Sequence, residues 1–422
     1  MQQSSIRTSS LLTAMFFSAT ALAHASPGVA EVDPGTLTGK VMCGYQGWFN
    51  ATGDGAGRGY HHWSRSGKRK PCPDTITFDL WPDLSEFPEE ERFPTEFQHA
   101  DGSTAEVFSS FLEPTVHRHF EWMRDYGIHG VFLQRFIHTL DQPQHKRHND
   151  TVLAHVRGGA EKTGRVFAMM YDTSGLGSGQ SQRLLDDWRE LVTETRITES
   201  PRYLNHKGRP LLAIWGCGFR DDKNRPSLDD WEEILTALRT DPTLGNPAVM
   251  LGVPTFWREL RRDSLEESRL HEILAMADVI SPWTVGRYRD PGEARRHAAE
   301  IATADIAWCE EHNLDYLPVA FPGFSWHHLQ KRHGRDQPVN SIPRRRGEFL
   351  QSQIDAYLDA GAEMLYVAMF DEVDEGTAIF KCTNHPPVDA PFATFEGLPS
   401  DHYLKLTGRA ARRFEEVGRR RR

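Results

Sequence analysis

Eight short apolar runs recur along the chain, each followed by polar or aromatic residues and, in most cases, by a stretch with helical spacing. They fall at Lys40 to Gly44, Gly130 to Leu133, Arg165 to Met170, Pro210 to Ile214, Ala248 to Val253, Asp278 to Ser281, Tyr316 to Ala320 and Met364 to Phe370. Continuous rather than alternating apolar character marks a parallel strand covered on both faces. From the second run onward the spacing is roughly 30 to 50 residues, the length of a strand with its crossover helix. Apolar stripes at i, i+3, i+4 and i+7 lie between the runs: Leu184, Leu185, Trp188, Leu191 and Val192; Leu228, Trp231, Leu235 and Leu238; Leu350, Ile354, Tyr357 and Leu358. Ser227, with Asp230 three residues on, reads as an N-cap, and Gly361 as a helix stop before the eighth run. Asp401 to Glu416 reads as a closing helix. Eight such units predict a single (β/α)8 TIM barrel. A long insertion from about Asn50 to Gly102, rich in Gly, Pro, His and Trp, follows the first strand. The rival doubly wound sheet needs a Gly-rich phosphate turn, and Cys43-Gly44-Tyr45-Gln46-Gly47-Trp48-Phe49 does not supply one.

Composition narrows the setting. A net charge of −10 over 422 residues argues against a nucleic-acid partner. Residues 1–25 have the pattern of a secretory signal, with Arg7 ahead of an apolar stretch from Leu11 to Leu22 and cleavage expected near Ala25-Ser26. No later segment approaches the 20 or so apolar residues of a membrane span. The expected product is a soluble secreted or periplasmic protein, with residues 26–406 as the barrel domain and 407–422 as a helix end and basic tail. Five cysteines, an odd number, leave at least one unpaired within the chain; a bridge among Cys43, Cys72 and Cys382 stays open. The sequence sets no oligomeric state.

The chemistry concentrates after the eighth run, where Asp371, Glu372, Asp374 and Glu375 place four carboxylates in five positions. At the C-terminal end of a barrel strand such crowding is the arrangement expected of an active site. The residues just past the other strand ends share that rim. Tyr45, Gln46, Trp48, Gln134, Arg135, Tyr171, Asp172, Trp215, Trp257, Trp283, Arg287, Tyr288, Trp326 and His327 are the candidate substrate contacts, with Asp371 and Asp374 beside them. Aromatic faces among amides and carboxylates suit a sugar, whose C–H face packs on a ring while its hydroxyls need donors and acceptors. Breaking a glycosidic bond takes two carboxyl groups, and Glu372 and Glu375 are the expected catalytic pair. An oligosaccharide or polysaccharide is then the expected partner. No cofactor and no metal site are expected: twenty histidines include only one His-x-His, His117-Arg118-His119, and it falls within a predicted helix rather than at a strand end. A Gly-x-Ser-x-Gly elbow is absent from the sequence.

Phe370-Asp371-Glu372-Val373-Asp374-Glu375-Gly376-Thr377 resembles the Glu-Trp-His-Glu-Gly-Thr motif of glycoside hydrolase family 99, the endo-α-mannosidases and endo-α-mannanases. Tyr171-Asp172-Thr173-Ser174-Gly175, Gly252-Val253-Pro254-Thr255-Phe256-Trp257-Arg258, Ser281-Pro282-Trp283-Thr284-Val285-Gly286-Arg287-Tyr288 and Phe321-Pro322-Gly323-Phe324-Ser325-Trp326 are similar to motifs of bacterial family 71/99-like proteins. The resemblance runs from about Val41 to Leu406. It implies a (β/α)8 barrel and a retaining α-glycosidase that forms a 1,2-anhydro sugar. Glu372 would be the base on the 2-hydroxyl and Glu375 the acid/base at the glycosidic oxygen. Val373 and Asp374 depart from the motif, since they stand where the family has Trp and His. Two other readings remain beside it: a barrel that binds glycans without turnover, and a metal-dependent hydrolase.

Overall fold

In the computed structural model, which describes residues 30–221, 223–331 and 333–421, the apolar runs form eight parallel strands. They are β1 Val41–Tyr45, β2 Gly130–Phe136, β3 Val166–Asp172, β4 Arg209–Trp215, β5 Ala248–Pro254, β6 Val279–Trp283, β7 in two pieces, Asp315–Tyr316 and Val319–Ala320, and β8 Leu365–Val367. Pro318, which lacks an N–H for the ladder, sits in the break of β7. The first piece pairs with β6 and the second with β8, which itself pairs with β1. Leu317 N donates to Ile280 O and Tyr366 N to Pro318 O, both at 2.9 Å, so the broken strand still closes the barrel.

A helix follows every strand. These are α1 Glu113–Tyr126, α2 Pro143–Thr163, α3 Ser181–Thr193, α4 Leu228–Thr240, α5 Arg269–Leu274, α6 Pro291–His297 running through a π turn into Thr303–Glu311, α7 Glu348–Asp359 and α8 His402–Arg421. The α3 and α4 stripes are buried as their spacing predicts, apart from the half-buried Val192. Each such Leu contributes about 2 kcal/mol by leaving water. Helix α8 runs beyond the expected Glu416 to Arg421, through Gly418, where a Cβ would lie 2.8 Å from Gly39 Cα and only glycine lets the helix pack this close to the segment before β1.

Residues 46–112 separate β1 from α1 and pack as a body around aromatic rings, Phe49 stacked on Trp63 with centroids 4.1 Å apart and Trp63 edge-to-face with Phe78 at 4.8 Å. Phe93–Gln98 and Thr104–Val107 form an antiparallel pair within it. All five thiols are free and buried, so the bridge left open among Cys43, Cys72 and Cys382 is not formed. The expected signal and its cleavage point lie outside the described residues. Among the described residues no helix is long and apolar enough to cross a membrane.

Ser227 closes a full capping box on α4: its Oγ accepts from Asp230 N at 3.2 Å, and Asp230 Oδ2 accepts from Ser227 N at 2.7 Å. Ser227→Ala is expected to cost about 1 kcal/mol in urea unfolding. A variant as stable as the parent would mean that packing alone fixes the start of α4.

Candidate active site

The ladder of β8 ends at Val367, yet its backbone stays bound on both sides, with Ala368 N donating to Ala320 O at 2.9 Å and Phe370 N to Gly44 O at 2.7 Å. That delivers Asp371 to the mouth of the barrel beside the end of β1. Asp371 is fully buried, and its two carboxylate oxygens accept from Gln46 N and Gly47 N, each at 2.8 Å. Gly47 has φ +59°, a left-handed conformation that suits glycine. Below the site, Gly44 leaves room for Met369 and Tyr366: a Cβ there would lie 2.2 Å from Met369 Sδ and 2.4 Å from Tyr366 Oη.

The other three carboxyls have different surroundings. Glu372 Oε1 accepts from Gln46 Nε2 at 3.0 Å and its Oε2 from Thr377 Oγ1 at 3.0 Å. Asp374 Oδ2 lies 3.2 Å from His62 Nδ1, and its Oδ1 is buried without a hydrogen-bond partner. The His62 ring stacks on Trp48 with centroids 3.9 Å apart. Glu375 is half-buried and its carboxyl makes no hydrogen bond among the described residues. Burial raises the pKa of all four. It pushes Asp371 up to about 7, Asp374 to about 8 and Glu375 to about 7, the last also raised by Asp374 and lowered by Lys223. Glu372 is held well above the usual range by burial and then by Glu375 and Asp374, against the Thr377 hydroxyl.

The rim candidates separate by the direction each strand gives them. Gln134 points inward, with its Nε2 donating to Tyr366 Oη at 3.1 Å. Asp172 also points inward and accepts from Ser174 N at 2.7 Å. Trp283 lies 6.3 Å from Tyr366 and 5.7 Å from Trp215, which carries the aromatic wall across the mouth. Arg287 lines a cleft on that side and pairs with Asp263 at 2.8 Å. Trp326 and His327 lie on the rim after β7, half-buried, with His327 Nδ1 2.5 Å from Gln337 O.

Five candidates are instead in the wall, Tyr45, Arg135 and Tyr171 because neighbouring residues of a strand face opposite ways, Trp257 and Tyr288 because the loops after β5 and β6 turn them toward the helices. Tyr45 Oη meets His119 of α1 at 2.8 Å. Arg135 and Tyr171 both bind Asp187 of α3, at 2.7 and 2.6 Å. Trp257 packs on Trp308 of α6, and Tyr288 bonds Gln353 and Tyr357 of α7. These five are withdrawn as substrate contacts.

Four residues that sequence reasoning missed shape the site. Thr377 and His62 bind the carboxyls directly. Buried Asp79 accepts from Ser325 Oγ, His327 N, His328 N and His328 Nδ1 at 2.6 to 3.0 Å, while its own N–H donates to Val373 O at 3.0 Å. Arg344 donates to Gly376 O at 2.8 Å and to Ala378 O at 2.7 Å, with Phe395 and Tyr403 against its guanidinium. A lone Asp between Phe78 and Leu80 is the one signal that pointed at Asp79. Among the described residues no three His, Cys, Asp or Glu side chains gather as a metal site.

Because these carboxyls have raised pKa values, the folded protein holds more protons than the unfolded chain between the ordinary carboxyl range, about 4, and about 8. Stability therefore falls as pH rises through that window. Buried histidines such as His119 and His148, pushed down to about 3, oppose this trend up to about pH 6.5, so the melting midpoint is expected to drop from pH 7 to pH 8, and Asp374→Asn to flatten the drop and melt higher than the parent at pH 8. An unchanged slope in the variant would place the responsible protons elsewhere.

No family model matches the chain. A glycoprotein endo-alpha-1,2-mannosidase-like protein of Danio rerio is 24% identical over 110 residues, which is 26% of this chain and 24% of that protein. The chain thus aligns with about a quarter of the length of that curated relative. The solved GH99 endo-alpha-mannosidase of Bacteroides thetaiotaomicron superposes with a TM-score of 0.65 at 14% identity, over 90% of this chain and 99% of that one. The same enzyme in complex with BIS-TRIS-propane gives 0.65 at 15% identity, over 90% and 98%. The resemblance in the motifs thus extends to the whole barrel: the chain has the (β/α)8 fold of the family 99 structures.

Proposed function

We propose that the protein is a glycoside hydrolase acting on an α-linked glycan, with Glu372 and Glu375 as its catalytic pair. The observation that carries this is the unlike setting of two carboxyls three residues apart at the barrel mouth. Glu372 is fixed by two donors, whose hydrogen bonds work against the rise that burial and its acidic neighbours give its pKa, while Glu375 has no such bond and is pushed up to about 7. The GH99 likeness in fold supports the same class. The pairing suits a retaining route. Glu372 takes the proton of the sugar 2-hydroxyl, O2 bonds to C1, the bond from C1 to the leaving oxygen breaks, and Glu375 gives that oxygen its proton. Water then adds to C1 as the C1–O2 bond breaks, losing a proton to Glu375 while Glu372 returns its own to O2. Gln46, Trp48, Gln134, Asp172, Trp215 and Trp283 line the path of the substrate. The signal pattern of residues 1–25 supports secretion or a periplasmic location.

Hydrolysis of a panel of α-linked glycans, followed by release of reducing ends, is the test. Glu372→Gln and Glu375→Gln, each checked by thermal melt, should lower turnover about 100-fold or more, the scale of losing a general acid or base. Absence of turnover in the folded parent on every substrate would replace this reading with a glycan-binding barrel. The same assay run against pH should show activity falling as pH passes about 7, where Glu375 gives up its proton. An alkaline limb unchanged in position above pH 9 would remove Glu375 as the acid.

A further inference from the structure

Across the mouth from the carboxyls, the loops after β4, β5 and β6 enclose a cleft of about 560 Å³. Its apolar lining is aromatic, from Trp215, Phe219, Phe256 and Trp283, and four cations line it: Arg220, Lys223, Arg262 and Arg287. On a chain of net charge −10 this is a local reversal of sign.

The two carboxylates in the lining are already engaged. Asp221 accepts from Arg225 Nε at 2.9 Å and from Arg225 Nη2 at 2.7 Å. Asp263 pairs with Arg287 at 2.8 Å and accepts from Thr255 N and Phe256 N at 3.1 and 3.2 Å. Arg220 pairs with Glu266. Lys223 and Arg262 are left: both are exposed, and neither side chain has an ion pair or hydrogen bond among the described residues. Each is instead held over a ring, Lys223 Nζ 5.8 Å from the Trp215 centroid and the Arg262 guanidinium carbon 4.4 Å from that of Phe256. A neutral sugar needs acceptors as well as donors for its hydroxyls, and the cleft's carboxylates are largely committed elsewhere. What remains on offer is a set of aromatic rings, Trp215 and Trp283 standing 77° to each other, rimmed by free positive charge, which matches a sugar ring carrying an anionic group.

We propose that this cleft is a subsite for a sugar bearing an anionic substituent, recognised by Lys223 and Arg262 over the faces of Trp215 and Phe256. The inference rests on the glycosidase reading and names its substrate class. The cleft joins the candidate catalytic groups through Trp283, which lies against Tyr366, and through Lys223, whose charge acts on both Glu375 and Asp172. A charged residue of the glycan would therefore sit beside the bond to be cut.

The test is a ligand-observed NMR titration of the Glu375→Gln protein with methyl α-mannoside and with its 6-phosphate, 6-sulfate and C6-carboxylate forms, which separate the possible anions. At least one charged form should bind about tenfold or more tightly than the neutral one. That preference should shrink to within about threefold in the added double variant Lys223→Gln/Arg262→Gln. If the double variant melts early, the salt dependence of the parent decides, since a free-charge contact weakens steeply between about 0.05 and 0.5 M salt. Equal binding of neutral and charged forms, a preference that survives the double variant or high salt, or no saturable binding of any charged form up to about 50 mM would overturn the proposal. Because binding and turnover are separate readouts, a failure here with Glu372-dependent hydrolysis intact refutes only the subsite. Preference retained in a protein that cleaves nothing refutes only the hydrolase reading.

Discussion

One carboxylate that accepts two consecutive backbone amides holds the mouth of this barrel in register. Asp371 binds Gln46 N and Gly47 N and so ties the end of the last strand to the end of the first. Everything chemically interesting hangs from that clamp: Glu372 is the next residue, Gln46 lends its side chain to Glu372, and Trp48 follows Gly47 to stack on His62. Burying Asp371 costs several kcal/mol for an unpaired ion. Its two N–H donors offset part of that, and its raised pKa shows that the balance still leans toward the protonated form.

The same tension runs through the rest of the loop. Four carboxyls in five positions repel, and each is given a different answer: two amides for Asp371, an amide and a hydroxyl for Glu372, an imidazole for Asp374, and a half-buried position without a hydrogen bond for Glu375. Different surroundings for chemically similar groups are what allow one to remain ionised while another keeps its proton. Residues 46–112 supply much of this. His62 comes from that segment, and so does Asp79, whose carboxylate gathers four donors from the Ser325 to His328 stretch. The segment is part of the site's scaffold more than a cover over it.

The barrel was legible because its signal is local and repeated. Eight apolar runs, the stripes of α3 and α4, and the Ser227 cap each follow from residues close in sequence. The acidic loop was legible too, since it directly follows the last strand. Three of the five errors have their physical origin in strand parity. Gln134 and Asp172 face the interior while their neighbours Arg135 and Tyr171 face the helices, and a shift of one residue exchanges the two sets. Tyr45 was misplaced in the same way, while Trp257 and Tyr288 lie beyond the ends of β5 and β6, on loops that turn them toward α6 and α7. His62, Asp79, Thr377 and Arg344 were missed for a different reason, because the partners of most of them lie far away in sequence. Nothing local distinguishes Arg344 from any other arginine until Gly376 and Ala378 are folded against it.

The clamp at Asp371 also has a meaning in time. It joins residues 325 positions apart, and the bond from His62 to Asp374 spans 312. As the chain is synthesised from its N-terminus, β1 has β2 beside it early, but its other neighbour arrives only with residues 365–367. Until then the growing polypeptide carries a sheet with an unsealed edge and an aromatic segment that has nowhere to dock. Contacts of such long range are the slow ones to form. The site is therefore completed after every strand has been made, with only α8 still to follow, and a chain cut short before Thr377 would contain every strand of the barrel and no completed acidic loop.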